Sequence, residues 1–260
     1  MSARSLQVSG EFWNFRGSFK IAGVFDVGTQ ASLVRLGSGK FVFLDAYSLS
    51  PSARREVNEL TRDGEQLEAI LNLHPFHTLH VRRMHEMFPQ ATLYGTARHL
   101  SKFPELPWAD MRTEDPALHK RYAADFDFSV PRGVEFISSN QNLHFSSVLA
   151  LHRASKTIHS DDTLMYVRLP MLMSWMSINN SVSFHPTLAK VLEKRAGAAQ
   201  DFRDWANELI TRWKHAKNLC AAHTTALLAA DNRGESIHAR LLQALEKVEP
   251  VLKAHQDKYG

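Results

Sequence analysis

Three histidines, His74, His77 and His80, lie at three-residue intervals in one short segment of the chain. Neutral imidazole is the commonest protein ligand for zinc and similar borderline metals. An apolar stretch precedes the segment and a helix-like stretch follows it, and a strand-to-helix junction projects side chains from a rigid edge into a shared cavity. The segment therefore predicts a metal site. Tetrahedral or higher coordination also needs ligands from elsewhere in the chain.

Further candidate ligands follow apolar stretches later in the chain: His144 beside Leu143, Asp162 after Thr157 and Ile158, and His223 after Leu219 and Cys220. If these stretches are strands of one sheet, their ends share an edge, and the polar side chains meet there with the three histidines. His159 and Asp161 stand beside Asp162 as capping groups, supporting partners of the ligands or substitute ligands.

The elements that must position these residues form a layered α/β pattern. Strands are predicted at 17–24, 30–36, 41–44, 68–73, 91–94, 134–137, 146–151, 156–159 and 218–222. Helices are predicted after Pro51, before Met87, at 188–195, 201–214 and 235–252. Phe202, Trp205, Leu209 and Trp213 recur at spacings of three and four, which indicates a core-facing helix. Residues 100–132 contain several prolines and aromatics and are predicted to form loops and short helices, as an insertion or a lid.

Composition limits the class of protein. The chain has 260 residues, 44% hydrophobic and 22% charged, which favours a soluble protein of one domain spanning 1–260. The net charge of +4 is spread over scattered residues, so nucleic-acid binding is not indicated. The single cysteine, Cys220, excludes an internal disulfide and a multi-cysteine zinc cluster. No apolar run is long enough to span a bilayer, and we expect a cytoplasmic protein. The Met-rich segment 169–176 is predicted to be a core turn, a pocket wall or a subunit contact.

The order of these motifs resembles the metallo-β-lactamase superfamily over roughly residues 20–230. Residues 30–45 resemble the opening strand pair, which ends in an aspartate that supports the site from behind, here Asp45. Residues 68–95 resemble the strand that carries the HxHxDH motif with the helix and strand after it. The segment 144–151, the Asp161-Asp162 turn and the 221–224 turn resemble the places where the family's later ligands lie. The resemblance implies a four-layer αββα sandwich with mixed β-sheets.

The resemblance also implies the ligand set. The metal ligands it assigns are His74, His77, His80, His144, Asp162 and His223. Asp162 takes the position of the aspartate that bridges two metals, and it is the candidate catalytic residue. One or two divalent ions are expected, zinc first, with iron, manganese or no metal as alternatives. The motif is incomplete, because aligning His77 and His80 with it places Pro75 and Leu79 where a histidine and an aspartate belong.

Two functions follow as expectations. The first is a metal-dependent hydrolase that acts on a small ester, thioester, lactone or phosphodiester through metal-activated water. The second is a non-catalytic protein of the same fold that binds a ligand or partner with an incomplete metal site. The partner in the first case is a small-molecule substrate, with neither nucleic acid nor membrane, and a homodimer is left open. A barrel amidohydrolase is disfavoured because the chain lacks eight repeated strand-helix units.

Overall fold

The computed structural model describes residues 4–17, 20–21, 25–26, 28–167, 181–222, 225–232 and 234–260. Its strands are β1 (Arg4–Ser9), β2 (Phe12–Gly17), β3 (Lys20–Ile21), β4 (Phe25–Asp26), β5 (Thr29–Arg35), β6 (Phe41–Leu44), β7 (Leu67–Leu71), β8 (Thr92–Tyr94), β9 (Phe126–Ser129), β10 (Leu149–His152), β11 (Thr157–Ser160), β12 (Leu164–Val167), β13 (Ser181–Phe184), β14 (Asn218–Ala221) and β15 (Ala226–Leu227). Its α-helices are α1 (Pro51–Thr61), α2 (Val81–Met87), α3 (Ala97–Lys102), α4 (Pro116–Arg121), α5 (Leu188–Val191), α6 (Ala198–Arg212) and α7 (Ile237–Tyr259).

Two mixed sheets form the centre of the fold. The first has the strand order β1-β2-β5-β6-β7-β8, antiparallel up to β6 and parallel from β6 to β8. The second has the order β15-β14-β11-β10-β9, in which only β11 and β14 run parallel. Two antiparallel strand pairs, β3-β4 and β12-β13, complete the described strands.

Alternate side chains of each sheet enter different hydrophobic clusters, which defines four layers. Phe41 and Phe43 of β6 pack with α1 and α2, while Val42 and Leu44 pack between the two sheets. On the far side of the second sheet, Ile158 belongs to a cluster with α6 and α7. The period of two along a strand sends neighbouring side chains to opposite faces, so each sheet is buried on both sides. The predicted αββα sandwich with mixed sheets is confirmed.

Parallel pairing places the site at one edge of the sheets. Strands β6 and β7 are parallel, so Asp45 and the segment from His74 follow them at the same edge of the first sheet. Strands β11 and β14 are parallel, so Asp161 and Asp162 follow β11 at the edge where β14 ends. Asp45 has a left-handed backbone conformation, with φ of 62°, which turns the chain sharply after β6.

Several predicted elements agree with the structure and several do not. The apolar stripe of α6 is core, since Phe202 and Leu209 are fully buried. Strands β1 and β2 were not predicted, and β9 lies within the segment expected to be loops and short helices. The predicted strand at 134–137 is wrong, because Val134 forms only an isolated bridge to Leu192. The Met-rich segment 169–176 lies outside the described residues.

Segment 100–132 contributes to the core between the sheets. Leu118 and Tyr122 of α4 and its flank are buried there, and β9 forms an edge of the second sheet. Its proposed action as a lid stays a prediction. None of the helices in the described ranges combines the length and the apolar character needed to cross a bilayer.

Candidate metal centre

His74, His77 and Asp162 meet at the edge of the two sheets. The Oδ2 atom of Asp162 lies 3.0 Å from Nε2 of His74 and 3.4 Å from Nε2 of His77. The two imidazole rings stack with their centroids 4.0 Å apart. His74 and Asp162 are almost completely buried, whereas the His77 side chain is 31% exposed. Two members of the group, His74 and Asp162, are therefore shielded from solvent, and the His77 imidazole is partly accessible to it.

His77 also contacts the neighbouring aspartate. Its Nδ1 atom lies 3.3 Å from Oδ2 of Asp161, so its ring lies between two carboxylates. Although burial opposes protonation, the charges of Asp161 and Asp162 raise the pKa of His77 well above its ordinary value. Burial and the neighbouring His77 instead lower the pKa of His74. The site thus favours positive charge at the position of His77 and a neutral imidazole at His74.

Asp45 holds the start of the histidine segment in place. Its Oδ1 atom accepts hydrogen bonds from the backbone N–H groups of Leu73 and His74, at 2.8 and 3.3 Å. Its Oδ2 atom lies 2.9 Å from Nε2 of His159. Burial and the charge of Asp161 raise the pKa of Asp45 to about 6, against the opposing effect of His159. Asp45, His159 and Asp161 form a second, fully buried group of potential ligands behind the first.

A polar network between the sheets supports this second group. Ser32 Oγ lies 2.9 Å from His159 Nδ1, and Asn14 Nδ2 donates to Ser32 at 2.9 Å and to Gln30 at 3.0 Å. The Arg16 guanidinium donates to Gln30 Oε1 and, at 2.7 Å, to the Ala221 carbonyl. These buried polar groups satisfy one another's hydrogen bonds, which stabilises an inter-sheet layer that would otherwise be costly to desolvate.

The other described ligand candidates, His80 and His144, make different polar contacts. His80 is the N-cap residue of α2, and its Nδ1 atom lies 2.9 Å from Ser48 Oγ. His144 donates from Nε2 to the Gln141 carbonyl, and its ring stacks on Phe76 with centroids 4.7 Å apart. Neither belongs to a compact group of three potential ligands among the described residues. His223 lies outside the described residues.

Leu79 and Pro75, the two residues that depart from the motif, differ in their exposure to solvent. The Leu79 side chain is 68% exposed and supplies no ligand, while Pro75 is buried. Cys220 is fully buried, and that burial raises the pKa of its thiol to about 12, which disfavours the reactive thiolate.

The first group fits a single divalent ion. Two imidazoles and a carboxylate offer ligand atoms that all lie within 4.8 Å of one another, and this donor set suits zinc or iron(II) with open positions. His74 Nε2 and Asp161 Oδ2 are buried, and among the described residues their polar contacts are those with Asp162 at 3.0 Å and with His77 at 3.3 Å. The Phe76 N–H donates to His74 Nδ1, which keeps the ring proton on Nε2. To bind a metal through Nε2, His74 would have to carry its ring proton on Nδ1 instead. The Nδ1 atom could then no longer accept the hydrogen bond from the Phe76 N–H.

No protein-family model matches the sequence, and no curated protein sequence is significantly similar to it. Solved structures are similar in fold. A metallo-β-lactamase, DIM-1, solved after exposure to ceftazidime, matches with a TM-score of 0.58 at 11% identity, covering 95% of this chain and 98% of that chain. The protein has the metallo-β-lactamase fold. A metallo-β-lactamase from Erythrobacter litoralis matches with a TM-score of 0.58 at 11% identity, covering 94% and 96% of the two chains.

A third metallo-β-lactamase-fold structure, FIM-1 from Pseudomonas aeruginosa in its mono-zinc form, has a TM-score of 0.56 at 11% identity and covers 95% and 96% of the two chains. At this identity the similarity concerns the fold alone. Within that fold, this chain brings together His74, His77 and Asp162, and the His144 ring lies 6.1 Å from the His74 ring.

Sequence reasoning missed the inter-sheet network. Asn14 and Arg16 alternate with Trp13 and Phe15 along β2, a pattern that normally marks a strand with one face in water. Here the polar face looks into the layer between the sheets. The alternation of polar and apolar residues was visible in the sequence. Whether the polar face meets water or a second sheet depends on long-range packing, which the residues of β2 do not reveal.

Proposed function

We propose that the protein is a metal-dependent hydrolase that acts on a small ester, thioester, lactone or phosphodiester. The observation that carries the proposal is the convergence of two imidazoles and a carboxylate, His74, His77 and Asp162, at the strand edge of this fold. A divalent ion bound there, zinc first and iron or manganese as alternatives, would supply Lewis-acid activation of water and of the substrate oxygen. The metal, its number and the substrate belong to the proposal.

The chain's own residues hold and move the proton in this scheme. Asp162 Oδ2 lies 3.0 and 3.4 Å from the two imidazoles, so its carboxylate would hold the ion together with them and would be the group available to accept the proton of the attacking water. Asp45 fixes the backbone at His74, and His159 fixes Asp45, which limits the movement of the ligand segment. The partly exposed His77 forms the side of the centre that a substrate would approach.

A second candidate is a non-catalytic protein of this fold that binds a ligand or partner. The exposed Leu79 favours it, since a leucine cannot bind an ion or orient a water where the motif carries an aspartate. The contact of the His77 ring with both Asp161 and Asp162 also favours it, because an imidazolium can then neutralise the carboxylates in place of a metal.

Hydrolysis assays on the full chain separate the two candidates. The substrates are 4-nitrophenyl acetate, a thioester, a lactone and bis(4-nitrophenyl) phosphate, each tested with protein as purified, after treatment with EDTA and after addition of zinc, iron(II) or manganese. We expect turnover of at least one substrate that EDTA abolishes and metal restores. Asp162→Asn should lower that turnover by about a hundredfold or more, since it removes a carboxylate that would both bind the ion and accept a proton.

The matched control is His215→Ala, which removes an exposed histidine outside the site. It should leave turnover unchanged. Turnover that is indifferent to EDTA, or that survives Asp162→Asn, would remove the hydrolase proposal. Absence of turnover for every class with metal bound would favour the non-catalytic candidate.

A further inference from the structure

Helix α3 packs along the histidine segment and presents two cations to it. Arg98 and Lys102 are four residues apart and so lie on one face of the helix. The Arg98 guanidinium carbon lies 4.5 Å from the centre of the Phe76 ring. Lys102 Nζ donates to Thr78 Oγ1 at 2.6 Å. Both contacts fall within the segment that carries His74 and His77.

Arg98 is linked to the candidate metal centre by one aromatic ring. Phe76 stacks on His144 on one side, and His74 lies edge-on to both of these rings with centroid distances of 6.1 Å. Arg98 therefore lies against Phe76, the ring whose edge contacts His74 of the candidate metal centre. The Arg98 guanidinium lies over the Phe76 ring, so its N–H groups at the edges remain available to bind a ligand.

In the part of the chain that the structure describes, no carboxylate pairs with this arginine. Among the residues that the structure describes, no ion pair or hydrogen bond involves Arg98, and its buried Nε atom has no hydrogen-bond partner. By contrast, Arg82 and Arg83 of α2 each pair with a glutamate. A half-buried guanidinium with unused donors is costly unless an acceptor reaches it.

We infer that Arg98 binds an oxyanion of the substrate, a carboxylate or a phosphate, next to the candidate metal centre. Planar guanidinium edges match both groups with paired hydrogen bonds. The inference rests on the proposed function for its substrate, and it makes the substrate anionic, with the anionic group held on the Phe76 side. Neutral esters of the same size would then be poorer ligands.

Binding of three probes of similar shape tests this inference. Benzoate, phenylphosphonate and neutral benzamide are titrated by ligand-observed NMR against the protein as purified and after treatment with EDTA. We expect at least one anion to bind the wild type roughly tenfold more tightly than benzamide, as for a charged hydrogen bond that replaces a neutral one. The preference should persist after EDTA, because it comes from Arg98. The stronger of the two anions identifies the group, carboxylate or phosphate.

Variants of Arg98 decide the outcome. Arg98→Gln should reduce the preference to less than about twofold, and Arg98→Lys should restore part of it, since the charge returns without the planar edge. Arg54→Gln, the same change at an exposed position of α1, should leave the preference intact. Equal binding of all three probes to the wild type, or an undiminished preference in Arg98→Gln, overturns the inference. Failure of the hydrolase assays with a retained, Arg98-dependent preference would count against the proposed reaction alone.

Discussion

At the scale of single residues, Asp45 is the group on which the histidine segment depends. It accepts two backbone N–H groups with one carboxylate oxygen and contacts His159 with the other, in a conformation with positive φ. Aspartate and asparagine tolerate this backbone region better than other residues with a Cβ. Asp45 thus adopts the backbone conformation of a turn, accepts two backbone hydrogen bonds and supplies a carboxylate to His159. Different substitutions remove different ones of these three contributions.

Replacing Asp45 separates these roles. Asp45→Ala leaves two buried N–H groups without an acceptor, and it should lower the free energy of unfolding by at least about 3 kcal/mol. Asp45→Asn keeps an oxygen acceptor and the backbone preference, so its loss should stay below about 2 kcal/mol. Urea denaturation at neutral pH measures both values. Equal losses in the two variants would show that the backbone hydrogen bonds are not what Asp45 contributes.

The sequence predicted individual residues unevenly. His74, His77 and Asp162 were selected by their spacing and their place after apolar stretches, and the structure brings them together. His80 and His144 satisfied the same criteria, but in the structure they form hydrogen bonds with Ser48 and with the Gln141 carbonyl. Side-chain direction at the end of a strand depends on a turn of a few residues, and spacing alone does not determine it.

At the scale of elements, α3 links the histidine segment to the rest of the first sheet. His99 of α3 is fully buried, its Nδ1 atom accepts from the Thr96 N–H, and its Nε2 faces the His77 carbonyl at 3.5 Å. Burial lowers the pKa of His99 to about 3. The neutral ring is therefore part of the packing of this short helix.

Stability should follow the protonation of His99. Its folded-state pKa lies below the ordinary value of 6.5, so the unfolded chain binds the proton more readily and stability falls as pH drops below about 6.5. Between pH 7 and pH 5, the free energy of unfolding of the wild type should fall by about 2 kcal/mol more than that of His99→Gln. Glutamine can keep the hydrogen bond to the Thr96 N–H. Parallel pH profiles for wild type and variant, with the exposed His215→Gln as the control, would contradict this account of α3.

Elements with a strong local pattern were the predictable ones. The α6 stripe recurs at helical spacing and its apolar side chains are buried. Strand β9 was missed because Phe126 and Phe128 stand in a proline-rich region, and their pairing partner, β10, follows about 20 residues later. Long-range pairing of this kind has no local signature.

At the scale of the whole molecule, the two sheets bring the ligands together from distant parts of the sequence. Asp162 follows β11 in the second sheet, whereas His74 and His77 follow β7 in the first. An ion that binds all three residues would connect the sheets and stabilise the folded chain by binding it in preference to the unfolded one. The fold was predicted from the resemblance of the order of these motifs to the metallo-β-lactamase superfamily, but the completeness of the site depends on how the strand ends pack.

The metal content of the full chain tests the central claim most directly. Protein purified without a nickel column is analysed for zinc, iron and manganese by elemental analysis, before and after reconstitution at neutral pH. A centre formed by His74, His77 and Asp162 predicts about one equivalent of one of these metals per chain. Less than about a tenth of an equivalent, unchanged on reconstitution at a pH where ligand deprotonation is not limiting, would contradict it.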